Sequence, residues 1–349
     1  MGVKVRSQHF ISAVLFCHIY ISAFSFHFCF IIVHEVDPHV GTSSQRQTVI
    51  GGIGGKYESF AYDARDRMKP TFYVTHDSAS GGLVRFTPDP TVVAEAENTG
   101  DYSGMLTTMG TLHWLVLSPS DGPRSASGTF QWTPIRSEAD DNAYEYYRSS
   151  EGIDIRRGML YFTTKYWKDL FILDLDTMAY TRSGTKSGAF DGEPDQIKRI
   201  LADDDNRDML YFCEEKACDN GGKYDQIYVC LHLSQLLHLR RWLTYVVKIV
   251  HARDQEGNFY SIIDGGNYSS ETSGLAFSPD NKHMYISYQR YVVCVAILMP
   301  YVCLQVQDNH FTHLIKLRPS NSDGIIFDVT REDGYPFGAH RLDIKYHAY

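Results

Sequence analysis

One phrase recurs four times along the chain and constrains its fold more than any other feature. Each copy begins with a glutamate, continues through a short alternating apolar run and a turn, and ends in a strand rich in aromatic residues. The copies are ESFAYDARDRMKPTFYVTHD from Glu58, EGIDIRRGMLYFTTK from Glu151, EPDQIKRILADDDNRDMLYFCEE from Glu193 and ETSGLAFSPDNKHMYISYQ from Glu271. Such self-similarity is typical of a fold built from one repeated supersecondary unit.

Further strand patterns follow these copies. Apolar or alternating runs separated by turns cover 83–87, 170–175, 259–263 and 324–330, and another pair covers 111–118 and 128–134. The 24 tyrosines and 19 phenylalanines also favour strands. Several short strands per repeat predict an all-β chain, a β-propeller of five to six blades with an incomplete N-terminal portion. The predicted propeller domain spans 51–349.

The glutamates that open the four phrases are the candidate metal ligands. The first strand of a propeller blade lines the central channel, so Glu58, Glu151, Glu193 and Glu271 are expected to face a common axis. Carboxylates gathered in one channel repel one another unless they are protonated, paired or bound to cations. Asp195 lies on the same strand face as Glu193 and is a fifth candidate ligand. Oxygen donors in this number suit calcium, with iron or manganese as alternatives. For each carboxylate, the competing interpretation is a strand-end side chain that accepts hydrogen bonds from a turn.

His76 and Asp77 form the best isolated histidine and aspartate pair. An aspartate before Ser and Gly commonly seeds an Asx-turn, which favours a turn role for Asp77 over a catalytic one. The sequence contains no Gly-x-Ser-x-Gly elbow and no Gly-rich loop ending in Gly-Lys-Ser/Thr. It therefore assigns no catalytic nucleophile.

The net charge of −9 limits the classes of partner. A broad positive surface, which non-specific nucleic-acid binding needs, is excluded by this charge. We therefore expect no nucleic-acid partner, and cation binding is favoured.

The N-terminal segment 1–33 resembles a signal or a membrane anchor. Lys4 and Arg6 precede a 24-residue run, 10–33, that contains no Asp, Glu, Lys or Arg. This run is long enough to span a bilayer and longer than the apolar core of a signal peptide, which favours a signal anchor over a cleaved signal. The alternative is a mis-assigned translation start. We expect a secreted protein or one anchored in the membrane and facing the cell exterior.

Two segments interrupt the repeat pattern, 224–250 and 290–322. Both are rich in Val, Leu, Cys and His, and neither contains the repeat phrase. Deleting them would restore regular blades, which favours translated intron sequence in the gene model. The alternative is a pair of long insertions that pack on the propeller.

The repeat phrases resemble the PhoX-type alkaline phosphatase family, in particular its eukaryotic branch. The resemblance is carried by GKYESFAYDARDRMKPTFYVTHDSASGGLVRFTP, SEGIDIRRGMLYFTTKYWKDLFILDLDTMAY, SGAFDGEPDQIKRI, SSETSGLAFSPDNKHMYISYQ and DGIIFDVTREDGYPF, and it covers 51–223, 251–289 and 323–349. It implies a β-propeller whose axial site holds calcium with iron(III) and hydrolyses phosphate monoesters. On this basis we expect a monomer that acts on a small phosphate ester.

Two other classes of protein fit the same pattern. A calcium propeller of the gluconolactonase kind, which hydrolyses lactones or esters, has a similar glutamate at the blade entrance. A non-catalytic propeller would bind a protein or glycan on its rim. Chelation should abolish cation binding and activity together in a catalytic propeller, but should cost a binding module only stability.

Overall fold

The computed structural model describes sixteen stretches of the chain. They are 34–35, 44–45, 48–53, 55–102, 104–107, 109–185, 193–200, 208–214, 249–254, 257, 259–264, 272–289, 293–295, 302–304, 324–331 and 334–337. The chain divides into two compact units, Met1–Gly184 and Thr185–Tyr349, which are described separately.

The first unit contains eleven strands and three helices among its described residues. The strands are β1 (His34–Glu35), β2 (Ser44–Gln45), β3 (Tyr57–Asp63), β4 (Thr71–His76), β5 (Val84–Pro88), β6 (Gly110–Pro119), β7 (Ser127–Thr133), β8 (Ser150–Arg156), β9 (Met159–Thr164), β10 (Asp169–Asp174) and β11 (Ala179–Gly184). The helices are α1 (Val49–Gly52), α2 (Pro90–Thr99) and α3 (Arg136–Tyr146).

A nine-stranded antiparallel sheet forms most of the first unit. Its order is β3, β4, β5, β6, β7, β11, β10, β9, β8. We call β3 to β6 the first blade and β8 to β11 the second blade; β7 hydrogen-bonds to the outer strand of each. The sheet curls so that its two edge strands, β3 and β8, are neighbours.

The second unit also contains two blades among its described residues, and here each blade is a separate sheet. Its strands are β12 (Pro194–Ile200), β13 (Met209–Glu214), β14 (Ile249–Arg253), β15 (Phe259–Asp264), β16 (Thr272–Phe277), β17 (His283–Gln289), β18 (Val293–Val295), β19 (Val302–Leu304) and β20 (Gly324–Thr330). The third blade is β12, β13, β14 and β15, and the fourth is β16, β17 and β20. The first strands of these blades, β12 and β16, are again neighbours. The fold is therefore all-β and propeller-like, which confirms the predicted fold class.

The first strand of each described blade carries the same irregularity. One extra residue interrupts its pairing with the second strand, between Tyr57 and Phe60, Ser150 and Ile153, Pro194 and Ile197, and Thr272 and Gly274. Such a bulge bends the strand and re-aims a side chain. We call the residue that follows the pair before the bulge the bulge position. It is Glu58 in β3, Glu151 in β8, Asp195 in β12 and Ser273 in β16.

A buried hydroxyl joins consecutive blades in both units. Ser150 Oγ accepts a hydrogen bond from the His76 amide at 2.9 Å and donates to the His76 carbonyl at 3.3 Å. Thr272 Oγ1 does the same with Glu214, accepting from its amide at 3.2 Å and donating to its carbonyl at 3.0 Å. Ser150 and Thr272 are both fully buried, so these bonds satisfy polar groups that water cannot reach.

Two of the helices pack beside strands of the first unit. Helix α2 begins where the Asp89 carboxylate accepts a hydrogen bond from the Thr91 amide, and ends at Gly100, whose φ of 77° is left-handed. On α3, the Asn142 side chain exchanges two hydrogen bonds with the backbone of Leu117 in β6. The two bonds to Leu117 fix α3 against the first blade, whereas α2 packs through Val93 and Ala96 in one buried apolar cluster with Phe72 and Phe86 of that blade.

The strands predicted outside the repeat phrases lie where the sequence indicates, within one residue at each end. The predicted ranges 111–118 and 128–134 correspond to Gly110–Pro119 and Ser127–Thr133. The range 324–330 is reproduced without change. Alternation of apolar and polar residues therefore identified these strands correctly.

The blades next to the two interrupting segments pair directly across them. Gln289 in β17 pairs with Gly324 in β20, so the strands on either side of 290–322 form a hairpin without it. Within that segment, β18 and β19 pair with each other. The last two residues of the segment 224–250 belong to β14, where Val250 is fully buried and pairs with Cys213 in β13. Residues 224–248 lie outside the described residues.

The anchor-like run 10–33 also lies outside the described residues. Within the stretches that the structure does describe, no helix is both long and apolar enough to cross a membrane.

Candidate metal centre

Three carboxylates come together where the first strands of the first and second blades meet. Glu58 on β3, Asp77 directly after β4, and Glu151 on β8 each offer an oxygen, and the three oxygens lie within 4.8 Å of one another. Glu151 is 1% exposed, whereas Glu58 and Asp77 are partly exposed. The structure thus brings together two of the predicted ligands, Glu58 and Glu151, and adds Asp77.

The backbone around the cluster holds these side chains in place. Glu58 and Glu151 occupy the same bulge position on neighbouring strands. The Thr75 hydroxyl accepts a hydrogen bond from the Ser59 amide at 2.9 Å and donates to the Glu151 carbonyl oxygen. The Asp77 amide donates to the Lys56 carbonyl at 2.7 Å. The carboxylates are therefore held by strand pairing rather than by a free loop.

A lysine ammonium lies among the carboxylates. Lys165 Nζ is 2.9 Å from Glu151 Oε1 and 3.4 Å from Asp77 Oδ2. Lys165 follows β9 directly, and its amide donates to the Ser149 carbonyl at 2.8 Å. A buried carboxylate such as Glu151 needs a positive partner, because an isolated buried charge is strongly unfavourable.

His76, next to Asp77, is buried and neutral. Burial, assisted by the Arg136 guanidinium, lowers the pKa of His76 to about 4. Its ring packs against Tyr57 with centroids 5.1 Å apart, and burial raises the pKa of Tyr57 to about 12. At neutral pH both side chains are uncharged, so they pack beside each other as neutral rings and do not act as an acid and base pair.

The remaining predicted ligands belong to the second unit or fall outside the described residues. Asp195, 3% exposed, occupies the bulge position of Glu58 and Glu151, whereas Glu193 precedes β12. The strand pairing therefore makes Asp195, rather than Glu193, the counterpart of the two glutamates. Glu271 lies outside the described residues, and in β16 the bulge position falls on Ser273. The convergence of all the predicted ligands on one axis stays a prediction.

Sequence reasoning missed two members of the cluster, Asp77 and Lys165. The sequence favours a turn role for Asp77, whereas in the structure its carboxylate groups with those of Glu58 and Glu151. A signal for both residues existed in the repeat itself. TFYVTH of β4 aligns with MLYFTT of β9, so Asp77 and Lys165 follow their strands at the same position with opposite charges.

Comparison with solved structures supports the fold. No protein-family model matches the sequence, and no curated protein does either. The chain is similar to Pseudomonas fluorescens PhoX in complex with vanadate, a transition state analogue, with a TM-score of 0.53 and 15% identity. That match covers 89% of this chain and 59% of the PhoX chain, so this chain spans less than two thirds of its neighbour. At this identity the similarity shows a PhoX-like fold.

A second similar structure is the nidogen and laminin complex. Its TM-score is 0.34 at 12% identity, covering 66% of this chain and 56% of the other, and at that level it supports no argument about this protein.

Proposed function

We propose that this protein is a metal-dependent phosphatase of the PhoX type that hydrolyses phosphate monoesters at the cluster of Glu58, Asp77 and Glu151. The observation that carries the proposal is this cluster of three carboxylates between the first two blades of a PhoX-like fold. The similar PhoX structure holds vanadate, a transition state analogue, which favours phosphoryl transfer over the lactonase and binding-module alternatives.

The residues fit a hard divalent cation. Three carboxylate oxygens within 4.8 Å of one another match calcium, which binds oxygen ligands at about 2.3–2.6 Å. Glu151 is almost fully buried, so a cation bound there would be attracted in a medium that screens charge poorly. Calcium is therefore the proposed ion, and iron(III) is proposed as a second ion.

The charge of the site explains why a cation is needed. A phosphate monoester is an anion, and both the three carboxylates and the protein's net charge of −9 repel it. A bound cation would neutralise phosphate oxygens and acidify a water molecule. Glu58, Asp77 and Glu151 would hold the cation, while the neutral His76 and Tyr57 rings pack against each other without adding charge.

Chelation and metal replacement test the proposal. The full chain would be stripped with a chelator, reloaded with calcium or with calcium and iron(III), and assayed with p-nitrophenyl phosphate at mildly alkaline pH. We expect activity only in the reloaded protein. Hydrolysis of simple lactones but not of the phosphate ester would favour the gluconolactonase alternative. Cation binding without any hydrolysis would favour the binding module.

Two substitutions with a matched control locate the activity. Glu151→Gln keeps the size of the side chain and one acceptor oxygen but removes the charge, so we expect at least about a hundredfold loss of activity. Glu271→Gln should likewise lower activity far more than stability if the fourth phrase also supplies a ligand. The control is Glu145→Gln, an exposed position on α3, which should leave activity unchanged.

A further inference from the structure

Lys165 pairs with two of the three carboxylates that are proposed to hold the cation. Its ammonium is 2.9 Å from Glu151 Oε1 and 3.4 Å from Asp77 Oδ2, the carboxylates of two of the three proposed ligands. A calcium ion bound to both carboxylates would lie about 2.3–2.6 Å from its ligand oxygens. The ligand oxygens are at most 4.8 Å apart, so the ion would fill the space between them. An ammonium that is paired with these two carboxylates therefore competes with a calcium ion for them.

The backbone gives the ammonium this position. Lys165 comes directly after Thr164, which pairs with Ser150 in β8, so it begins next to Glu151. Its amide donates to the Ser149 carbonyl, and its carbonyl accepts from the Lys168 amide at 3.3 Å in a tight turn. Lys168 has a left-handed φ of 55° that closes this turn. The side chain, by contrast, is long and partly exposed, so it can swing away while its backbone stays fixed.

We propose that Lys165 is an internal counter-ion that a metal must displace, and that it makes the site selective for multivalent cations. The inference rests on the proposed function, because it concerns the same metal centre. Without metal, the ammonium compensates the buried Glu151 carboxylate and stabilises the cluster. With metal, the like charges repel and the ammonium moves towards solvent.

The selectivity for multivalent cations follows from the charge of the ion that replaces the Lys165 ammonium. Sodium or potassium would bring the same single charge as the ammonium it replaces, and would therefore gain little attraction to the carboxylates. Calcium brings twice that charge, so the exchange becomes favourable. Lys165 thus makes the site bind divalent cations in preference to monovalent ones.

Chemical labelling of the unaltered protein tests the displacement. Lysine side chains would be acetylated at low reagent concentration, and the rates at Lys165 and Lys168 read by mass spectrometry with chelator and with calcium. We expect calcium to raise the Lys165 rate at least about threefold, because the amine leaves its carboxylate partners. Lys168, three residues along in the same turn, is the internal reference. A Lys165 rate unchanged or lowered at saturating calcium overturns the inference.

Calorimetry on variants tests the competition and separates it from the proposed function. Removing a positive charge from the site should make Lys165→Met bind calcium at least about tenfold more tightly than the unaltered protein. The Lys168→Met control should bind like the unaltered protein. Equal affinity of Lys165→Met and the unaltered protein overturns the inference while leaving the proposed function intact. Absence of calcium binding in every protein overturns both.

Discussion

Asp77 and Lys165 follow corresponding strands in consecutive blades, and their charged groups meet at 3.4 Å. The same position of the repeat thus carries an acidic residue in the first blade and a basic residue in the second. Asp77 and Lys165 form a compact charged cluster with Glu58 and Glu151 at the junction of the two blades.

The buried hydroxyl of Ser150 should contribute measurably to stability. Ser150→Ala removes both the acceptor for the His76 amide and the donor to the His76 carbonyl, leaving buried polar groups unsatisfied. We expect a loss of about 1–3 kcal/mol in the free energy of unfolding. Urea unfolding followed by tryptophan fluorescence measures it, with Ser137→Ala, at an exposed position on α3, as the control. Equal losses in the two variants would contradict this assignment.

His76 should make the first unit less stable in mild acid. Its pKa is about 4 in the folded protein and about 6.5 in an unfolded chain. Between these values the unfolded state binds the additional proton, so stability falls as the pH drops from about 6.5 to 4, by on the order of 3 kcal/mol in full.

The variant His76→Gln isolates this effect from the titration of carboxylates. Its urea midpoint should change less between pH 7 and pH 4.5 than that of the unaltered protein. Trp114, Trp132 and Trp167, all in the first unit, report the transition. Identical pH profiles would show that His76 titrates normally.

Gly81 should not tolerate a side chain. A Cβ at this position would lie 2.5 Å from the His76 ring, which is itself buried. Gly81→Ala should therefore cost about 1–3 kcal/mol, because the ring has to shift within a packed site. Thermal unfolding measures the loss. Gly184→Ala, where nothing lies within 4 Å, is the matched control and should be much milder. A Gly81→Ala variant as stable as Gly184→Ala would contradict the close packing.

The segment 290–322 should be dispensable for folding. Because Gln289 pairs directly with Gly324, a short turn in place of the segment should preserve the melting temperature of the second unit within a few degrees. Sequencing of the mature transcript should show this segment and 224–248 to be absent. Their presence, together with unfolding of the shortened chain, would identify them as packing elements instead.

The sequence predicted the blades well because each blade repeats one pattern. The alternation and turn residues of Gly324–Thr330 or Gly110–Pro119 are local properties, so a single sequence identifies such strands. The repeat also placed glutamates at the correct end of β3 and β8.

The bulges and the lysine were harder to predict for physical reasons. The pairing of Pro194 with Glu214 makes Asp195, rather than Glu193, the counterpart of Glu58 and Glu151, and neither this register nor a one-residue bulge leaves much trace in the alternation. Lys165 contacts Asp77 across 88 residues of chain, so only the alignment of β4 with β9, and no local pattern, points to this pair. Helix α2 could have been found, since Asp89, Pro90 and Gly100 are its start and stop signals.

The most direct test of the metal centre is a crystal structure of the protein grown with saturating calcium. We predict an ion with Glu58, Asp77 and Glu151 oxygens about 2.3–2.6 Å away, and the Lys165 ammonium turned out of the cluster. A structure in which Lys165 still bridges Glu151 and Asp77, with no ion between the three carboxylates, would contradict the account.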